Sequence, residues 1–164
     1  MSLTPEQKAK KKLKEEKLKI RNLKAKTKKQ FSRSKLVEEA DRIFSIYIRG
    51  RDAWKPCCTC GTSWEQSFQC WHFISRAHLQ TKWLAKNANW QCFRCNIHMK
   101  WRQFEHSLYV DKLYWEWTSK MLYDLAKTTD KIFDSELLEL IQHYYKLCFE
   151  MWLDYKPKKQ FLWL

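Results

Sequence analysis

Four cysteines arranged as two Cys-x-x-Cys pairs, Cys57 with Cys60 and Cys92 with Cys95, carry the clearest chemistry in this chain. Each pair forms a tight knuckle that brings two thiolates toward one ion, and four thiolates complete the closed tetrahedral shell of a structural Zn²⁺ site. Between the pairs lie His72 and Asn87, and Asn96 directly follows Cys95. A neutral imidazole can take a proton from water, while an asparagine can brace a loop or offer an oxygen to a hard divalent cation. Cys57 is preferred to Cys58 as the first ligand because only Cys57 has the two-residue gap to Cys60. Cys70 and Cys148 read as small apolar residues of a strand and a helix.

The composition agrees with a metal-supported domain. At 164 residues and 45% apolar content the chain is one domain with a modest core. Seven cysteines without an apolar N-terminal export segment point to a reducing, cytoplasmic setting, where paired cysteines bind metal more often than they form disulfides. No apolar run is long enough to span a bilayer. A net charge of +14 makes a polyanion the expected partner, and nucleic acid is the commonest one.

The elements that must position these residues can be read along the chain. Residues 1–30 form a Lys-rich basic arm, and residues 31–50 a core helix with Leu36, Ala40, Ile43, Phe44 and Tyr47 at helical spacing and Gly50 as its stop. Residues 51–105 hold the four-cysteine core, with Gly61 supplying a permissive backbone after Cys60. Trp64, Phe68, Trp71 and Phe73 suggest strands, and a loop or short helix covers Ala77 to Ala85. Residues 106–156 are helical: a pattern from about Phe104 to Lys127 uses Leu108, Leu113, Trp117, Met121 and Leu125 as apolar positions. A last helix, capped by Asp134 or Ser135, carries Leu137, Leu138, Ile141, Tyr145, Cys148 and Trp152 up to Pro157, and residues 157–164 are a tail. Most of the ten tryptophans are expected in the core, although Trp83, Trp90 or Trp101 could instead stack on unpaired bases.

The registration of His72, Asn87 and Asn96 against both cysteine pairs resembles the His-Asn-His (HNH-like) zinc-containing nucleases, with asparagine in the third position. The segments Cys70-Trp71-His72-Phe73-Ile74-Ser75-Arg76, Thr81-Lys82-Trp83 and Gln91-Cys92-Phe93-Arg94-Cys95-Asn96 are similar to those of the NinG (Rap) recombination nuclease family of lambdoid phages. The likeness spans roughly residues 30 to 147 and includes Glu136 to Ile141 ahead of Tyr144-Tyr145-Lys146. It implies an α+β fold: a zinc-stapled treble-clef, ββα-metal core with helical N- and C-terminal extensions. It also implies a structure-specific DNA endonuclease that cuts branched recombination intermediates such as Holliday junctions, in the cytoplasm of a phage-infected or prophage-carrying bacterium. His72 is then the general base and Asn87 the brace of its ring or loop. Asn96 is a ligand to catalytic Mg²⁺, or to Mn²⁺ in its place, and Arg76 and Lys100 clamp the phosphate. Lys82, Arg94 and Arg102 join Arg76 and Lys100 as candidate DNA contacts. Trp71 stands where many such nucleases carry aspartate, and Trp101-Arg102 where Gly-Asn is expected, so Glu65, Glu105 and Asp111 are the carboxylates left to complete the ion's shell. A helical C-terminus suits a homodimer on a two-fold junction, with phage recombination proteins as further partners.

Plainer roles stand beside these. His72, between Trp71 and Phe73, also fits a packed core histidine, and Asn87 and Asn96 fit loop and cap amides. His78, His98, His106 and His143 match no motif and read as packing or surface residues, with His98 the one placed to lie near a metal. At the level of function, the rivals to a nuclease are a noncatalytic zinc module that binds nucleic acid and an adaptor for recombination partners.

Overall fold

A computed structural model describes residues 14–19, 32–63, 67–99 and 102–157. Most of the basic arm, the tail from 158, Trp64, Glu65, Lys100 and Trp101 therefore lie outside the described residues. The order of elements is α1 (Arg33–Arg51), β1 (Phe68–His72), α2 (Leu79–Lys82), a 3-10 turn (Ala85–Asn87), β2 (Ala88–Cys92), a π-helical turn (Arg94–His98), α3 (Gln103–Leu113), α4 (Thr118–Leu125) and α5 (Asp134–Glu150). The architecture is mixed α+β.

Two long helices make the main core. Leu36, Ala40, Ile43, Phe44 and Ile48 form one stripe of α1, and it packs on Leu137, Ile141, Tyr144, Tyr145 and Cys148 of α5, with Trp83 and Ala88 closing the cluster. Both stripes follow the i, i+4, i+7 spacing that puts apolar side chains on one helix face. A carboxylate sits inside this interface: Glu39 is fully buried, bonded by Arg42 at 2.5–3.2 Å and by the Tyr145 hydroxyl. The backbone N–H of Phe133 donates to the Glu136 carboxylate at 2.5 Å, so α5 begins with the reciprocal half of a capping box and not with a side-chain cap from Asp134 or Ser135.

β1 and β2 pair antiparallel, with Phe68 opposite Cys92 and His72 opposite Ala88. Alternation puts Phe68, Cys70, His72, Ala88, Trp90 and Cys92 on the face toward α1, and Gln69, Trp71, Asn89 and Gln91 on the other. A lone two-stranded ribbon is marginal in water. Here the outer edge of β2 is closed by the chain around residues 51–58. Arg51 Nη2 donates to the Ala88 carbonyl at 2.8 Å, Asp52 Oδ2 accepts the Trp90 N–H at 3.2 Å, and Cys58 N–H donates to the Trp90 carbonyl at 3.0 Å.

Three expectations change. The helix runs through Gly50 to Arg51, so Gly50 is not a stop; the Leu153 side chain packs where a Cβ on Gly50 would stand. The 104–127 pattern splits into α3 and α4 around a turn at 114–117, and Leu108, Leu113, Trp117 and Met121 are exposed. What those helices bury instead is Val110 and Leu122, against Phe73 and Ile74. Among the described tryptophans Trp83 alone is buried, while Trp54, Trp115, Trp117 and Trp152 are exposed, because the α1–α5 interface is filled by aliphatic and tyrosine side chains.

Asp52 is 1% exposed and bonds Arg51 at 2.5 Å and Lys55 at 2.7 Å. Burial pushes its carboxyl upward, but the hydrogen bonds from Arg51 and Lys55 outweigh that and hold it below the usual carboxylate range. Asp52→Ala should cost about 3–5 kcal/mol, because it removes the carboxylate that balances the Arg51 charge and leaves the Trp90 N–H without its acceptor. Urea unfolding followed by circular dichroism measures this, and Asp52→Asn, which keeps an acceptor for Trp90, should lose less.

Candidate functional site

The sulfur atoms of Cys57, Cys60, Cys92 and Cys95 all lie within 4.8 Å of one another. Zn–S bonds of about 2.3 Å at tetrahedral angles require S···S edges of about 3.8 Å, and Cys60 Sγ to Cys92 Sγ is 3.8 Å. The donor set and its spacing fit zinc. The first knuckle is closed by Cys57 N–H to the Thr62 carbonyl at 2.8 Å and Gly61 N–H to the Cys57 carbonyl at 2.9 Å, with Gly61 at φ +71° as the left-handed residue the turn needs. Backbone N–H groups already point at sulfur: Cys92 N–H to Cys57 Sγ at 3.4 Å and Cys95 N–H to Cys92 Sγ at 3.5 Å. Such bonds stabilise thiolates. Cys58 is buried beside the cluster but is not one of its four sulfurs.

At the other end of the hairpin stands His72. Its Nε2 lies 2.8 Å from the Lys82 carbonyl, and a carbonyl only accepts, so Nε2 carries the hydrogen and Nδ1 is the proton acceptor. The ring tilts against Phe44 at 5.6 Å. Burial lowers its pKa to about 4; the bond to Lys82 opposes that shift and the Arg76 charge adds to it. The Lys82 carbonyl is itself fixed from both long helices. Asp41 of α1 accepts Lys82 Nζ at 2.9 Å and Trp83 Nε1 at 2.8 Å, and Tyr144 of α5 donates to the Trp83 carbonyl at 2.7 Å.

Asn87, fully buried, braces the loop after His72 and not the ring. Its Oδ1 accepts the Ile74 N–H at 2.7 Å, its Nδ2 donates to the Ile74 and Thr81 carbonyls at 3.0 and 2.9 Å, and its own carbonyl takes the Phe73 N–H at 2.7 Å. Asn96 lies across the hairpin. Its Nδ2 bonds Gln69, on the sheet face opposite His72, and its Oδ1 is buried without a partner among the described residues. Lys82 is 9% exposed and committed to Asp41, so it is an internal positioning residue and not a surface DNA contact. Arg102 is held by Glu105 at 2.5 Å. Arg94 is exposed, and Lys100 lies outside the described residues. Glu105 is bound to Arg102 and Asp111 accepts from Ser119, so both described carboxylates considered for a second ion are engaged elsewhere.

His72 opens on a cavity of about 560 Å³ whose wall also includes Arg76, His78, His106, Tyr123 and Lys127. His106 was not singled out by any sequence motif. It is 1% exposed and packs edge-on against Phe73 at 5.6 Å, with its pKa lowered to about 4 by burial. Arg51 donates to Asn89 Oδ1 at 3.4 Å, and Asn89 Nδ2 in turn donates to His106 Nε2 at 3.1 Å. The only sequence signal for it is helical phase: His106 lies four residues before the buried Val110.

A model of the family described as "Bacteriophage Lambda NinG protein" matches residues 2–146. Curated relatives named "Protein ninG", from Escherichia phage lambda, Escherichia phage 933W and Salmonella phage P22, are each 33% identical over 84 residues. That stretch is 51% of this chain and 39% of each relative, so the match spans about two fifths of the relatives' length. No solved structure matches. The chain belongs to the NinG family.

Two outcomes follow from this geometry. Purified protein should release one zinc per chain when its thiols are titrated with a mercurial. Cys92→Ser should release none and melt lower by on the order of 10 °C. Separately, His72 and His106 have folded pKa values of about 4 against an ordinary 6.5. The unfolded chain thus binds more protons between those values, so stability is full above about pH 6.5 and is lost as pH falls toward 4. His106→Asn should flatten that slope relative to wild type in urea titrations at pH 7, 6 and 5, the zinc-thiolate contribution being common to both proteins.

Proposed function

We propose that this NinG-family chain is a metal-dependent, structure-specific DNA endonuclease of the HNH-like, ββα-metal type, cleaving branched intermediates of phage recombination such as Holliday junctions. The observation that carries the reading is the fixed tautomer of His72, a neutral imidazole whose Nε2–H is committed to the Lys82 carbonyl, which leaves Nδ1 as the basic atom of a residue that lines a cavity together with Arg76. Nothing in a structural zinc module requires that arrangement.

In the proposed reaction, His72 Nδ1 accepts a proton from water as the water oxygen bonds to phosphorus and the bond to the leaving sugar oxygen breaks. A pKa of about 4 makes His72 a weak base in the free protein, and the negative charge of a phosphodiester bound nearby would raise it. Arg76, exposed at the cavity, is placed to hold a phosphate oxygen, and Asn87 keeps the loop between His72 and Arg76 rigid. Mg²⁺, when bound, supplies charge neutralisation at the phosphate. Asn96 Oδ1 has no partner among the described residues but is buried across the hairpin from His72, so an ion at that phosphate would take phosphate oxygens and water as its ligands. Arg94, which is exposed, is a further candidate phosphate contact, and Lys100 and the basic arm are proposed as such from their charge alone. The protein would act in the host cytoplasm, as a dimer where two strands must be cut, and beside other recombination proteins. No helix among the described residues is long and apolar enough to cross a membrane.

The engagement of Glu105 and Asp111 favours one alternative, a noncatalytic zinc module that binds nucleic acid. A labelled four-way junction and a matching linear duplex, incubated with wild type and His72→Ala in Mg²⁺, in Mn²⁺ and in chelator, separate the two. The nuclease reading expects metal-dependent junction cutting by wild type, at least about 100-fold slower in the variant, with equal binding by both. Equal, salt-sensitive binding with no product in any divalent ion would replace it with the module.

A further inference from the structure

The cavity beside His72 is larger and more apolar than an anionic phosphodiester requires. At about 560 Å³ it falls in the range of about 300–1,000 Å³ typical of sites that enclose small organic ligands. Phe73, Ile74 and Ala126 supply apolar wall, and Tyr123 of α4 stands in the same wall with more than half its surface exposed. The Tyr123 ring is polarised by Lys127, whose Nζ lies 5.3 Å from its centroid and is tethered to Asp124 at 3.0 Å. His78 Nδ1 lies 3.0 Å from the Ala126 carbonyl and must donate to it, which leaves Nε2 as an acceptor. A flat, partly polar, aromatic group suits these walls, and a cation at Arg76 suits a phosphate joined to it.

We infer that this cavity receives one unpaired nucleobase next to the scissile phosphate, with Tyr123 as its stacking wall and His78 Nε2 accepting from the base edge. The inference rests on the nuclease reading and adds to it the substrate feature being recognised. A nucleotide inside a perfect duplex must leave its pair and its stack to enter, which costs a few kcal/mol, whereas one at an open branch point lacks a stacking neighbour on one side and leaves at lower cost. Selectivity for branched DNA then arises at the cleavage site itself. Of the tryptophans considered for base stacking, Trp83 is buried and Trp90 already stacks on Phe68 at 4.8 Å, while Trp101 lies outside the described residues.

The test places 2-aminopurine at the branch point of a four-way junction, or within an arm, and measures its fluorescence on binding in chelator, where no strand is cut. Wild type and Tyr123→Phe should change the branch-point signal and leave the arm signal alone. Tyr123→Ala should abolish the change and, in Mg²⁺, lower single-turnover junction cleavage on the order of 10-fold. If Tyr123→Ala loses zinc or melts early, Tyr123→Leu, which keeps apolar bulk without a stacking face, carries the same comparison. A branch-point signal and a cleavage rate unchanged in Tyr123→Ala or Tyr123→Leu would overturn the inference, as would junction cutting by wild type with no branch-point signal. Failure of the nuclease reading looks different: a Tyr123-dependent signal in chelator, with no cutting in any metal, keeps the base pocket and removes the hydrolysis.

Discussion

The outer edge of β2 is the constraint on which the rest of the structure depends. A two-stranded sheet has one exposed row of N–H and C=O groups per strand, and in a hairpin this short those groups decide whether it persists. Arg51, Asp52 and Cys58 take up the row on β2, and the Cys92 N–H goes to Cys57 sulfur. The end of α1, the first cysteine knuckle and the sheet are thereby a single hydrogen-bonded unit. Zinc bound by the four thiolates would lock the same unit at its far end. The buried charge this requires at Asp52 is balanced by Arg51 and Lys55, so the closure is electrostatically self-consistent.

The opposite end of the hairpin inherits that rigidity. β1 delivers His72, and the loop returning to β2 is tied at Ile74 and Thr81 by Asn87 and at Lys82 and Trp83 by α1 and α5. Each tie is a buried or half-buried hydrogen bond, the kind that costs most when left unmade. Their joint effect is to hold one imidazole in one tautomer at the edge of a cavity. Burial keeps that imidazole neutral, and the same burial makes it responsive to an anion arriving in the cavity.

Much of this was legible in the sequence, for identifiable reasons. The cysteine ligands are fixed by spacing, because a knuckle needs two intervening residues, and the choice of Cys57 over Cys58 agrees with the sulfur cluster. The stripes of α1 and α5 follow helical period. What could not be read was tertiary competition. Ten tryptophans suggested an aromatic core, yet Trp54, Trp115, Trp117 and Trp152 lie at the surface. Lys82 looked like a phosphate ligand because charge in sequence carries no sign of its partner, and Asp41 lies 41 residues away. Helical phase with Val110 marks His106 as buried, but its pairing with Asn89 follows only from the packing of α3 against the hairpin. The Asn96 amide was read with His72 because both flank motif residues, but strand alternation places its Gln69 partner on the other face.

The fold holds His72 as an imidazole with its hydrogen on Nε2, and Nδ1 is the atom proposed to take the proton. Long-range ¹H–¹⁵N correlation of the histidine rings in zinc-loaded protein at pH 7 reads that state directly. The account predicts that His72 is the neutral Nε2–H tautomer, that it remains so down to pH 5, and that its Nδ1 resonance shifts when a short noncleavable DNA phosphodiester analogue is added. A His72 ring that is doubly protonated at pH 7, or that carries its hydrogen on Nδ1, would contradict it.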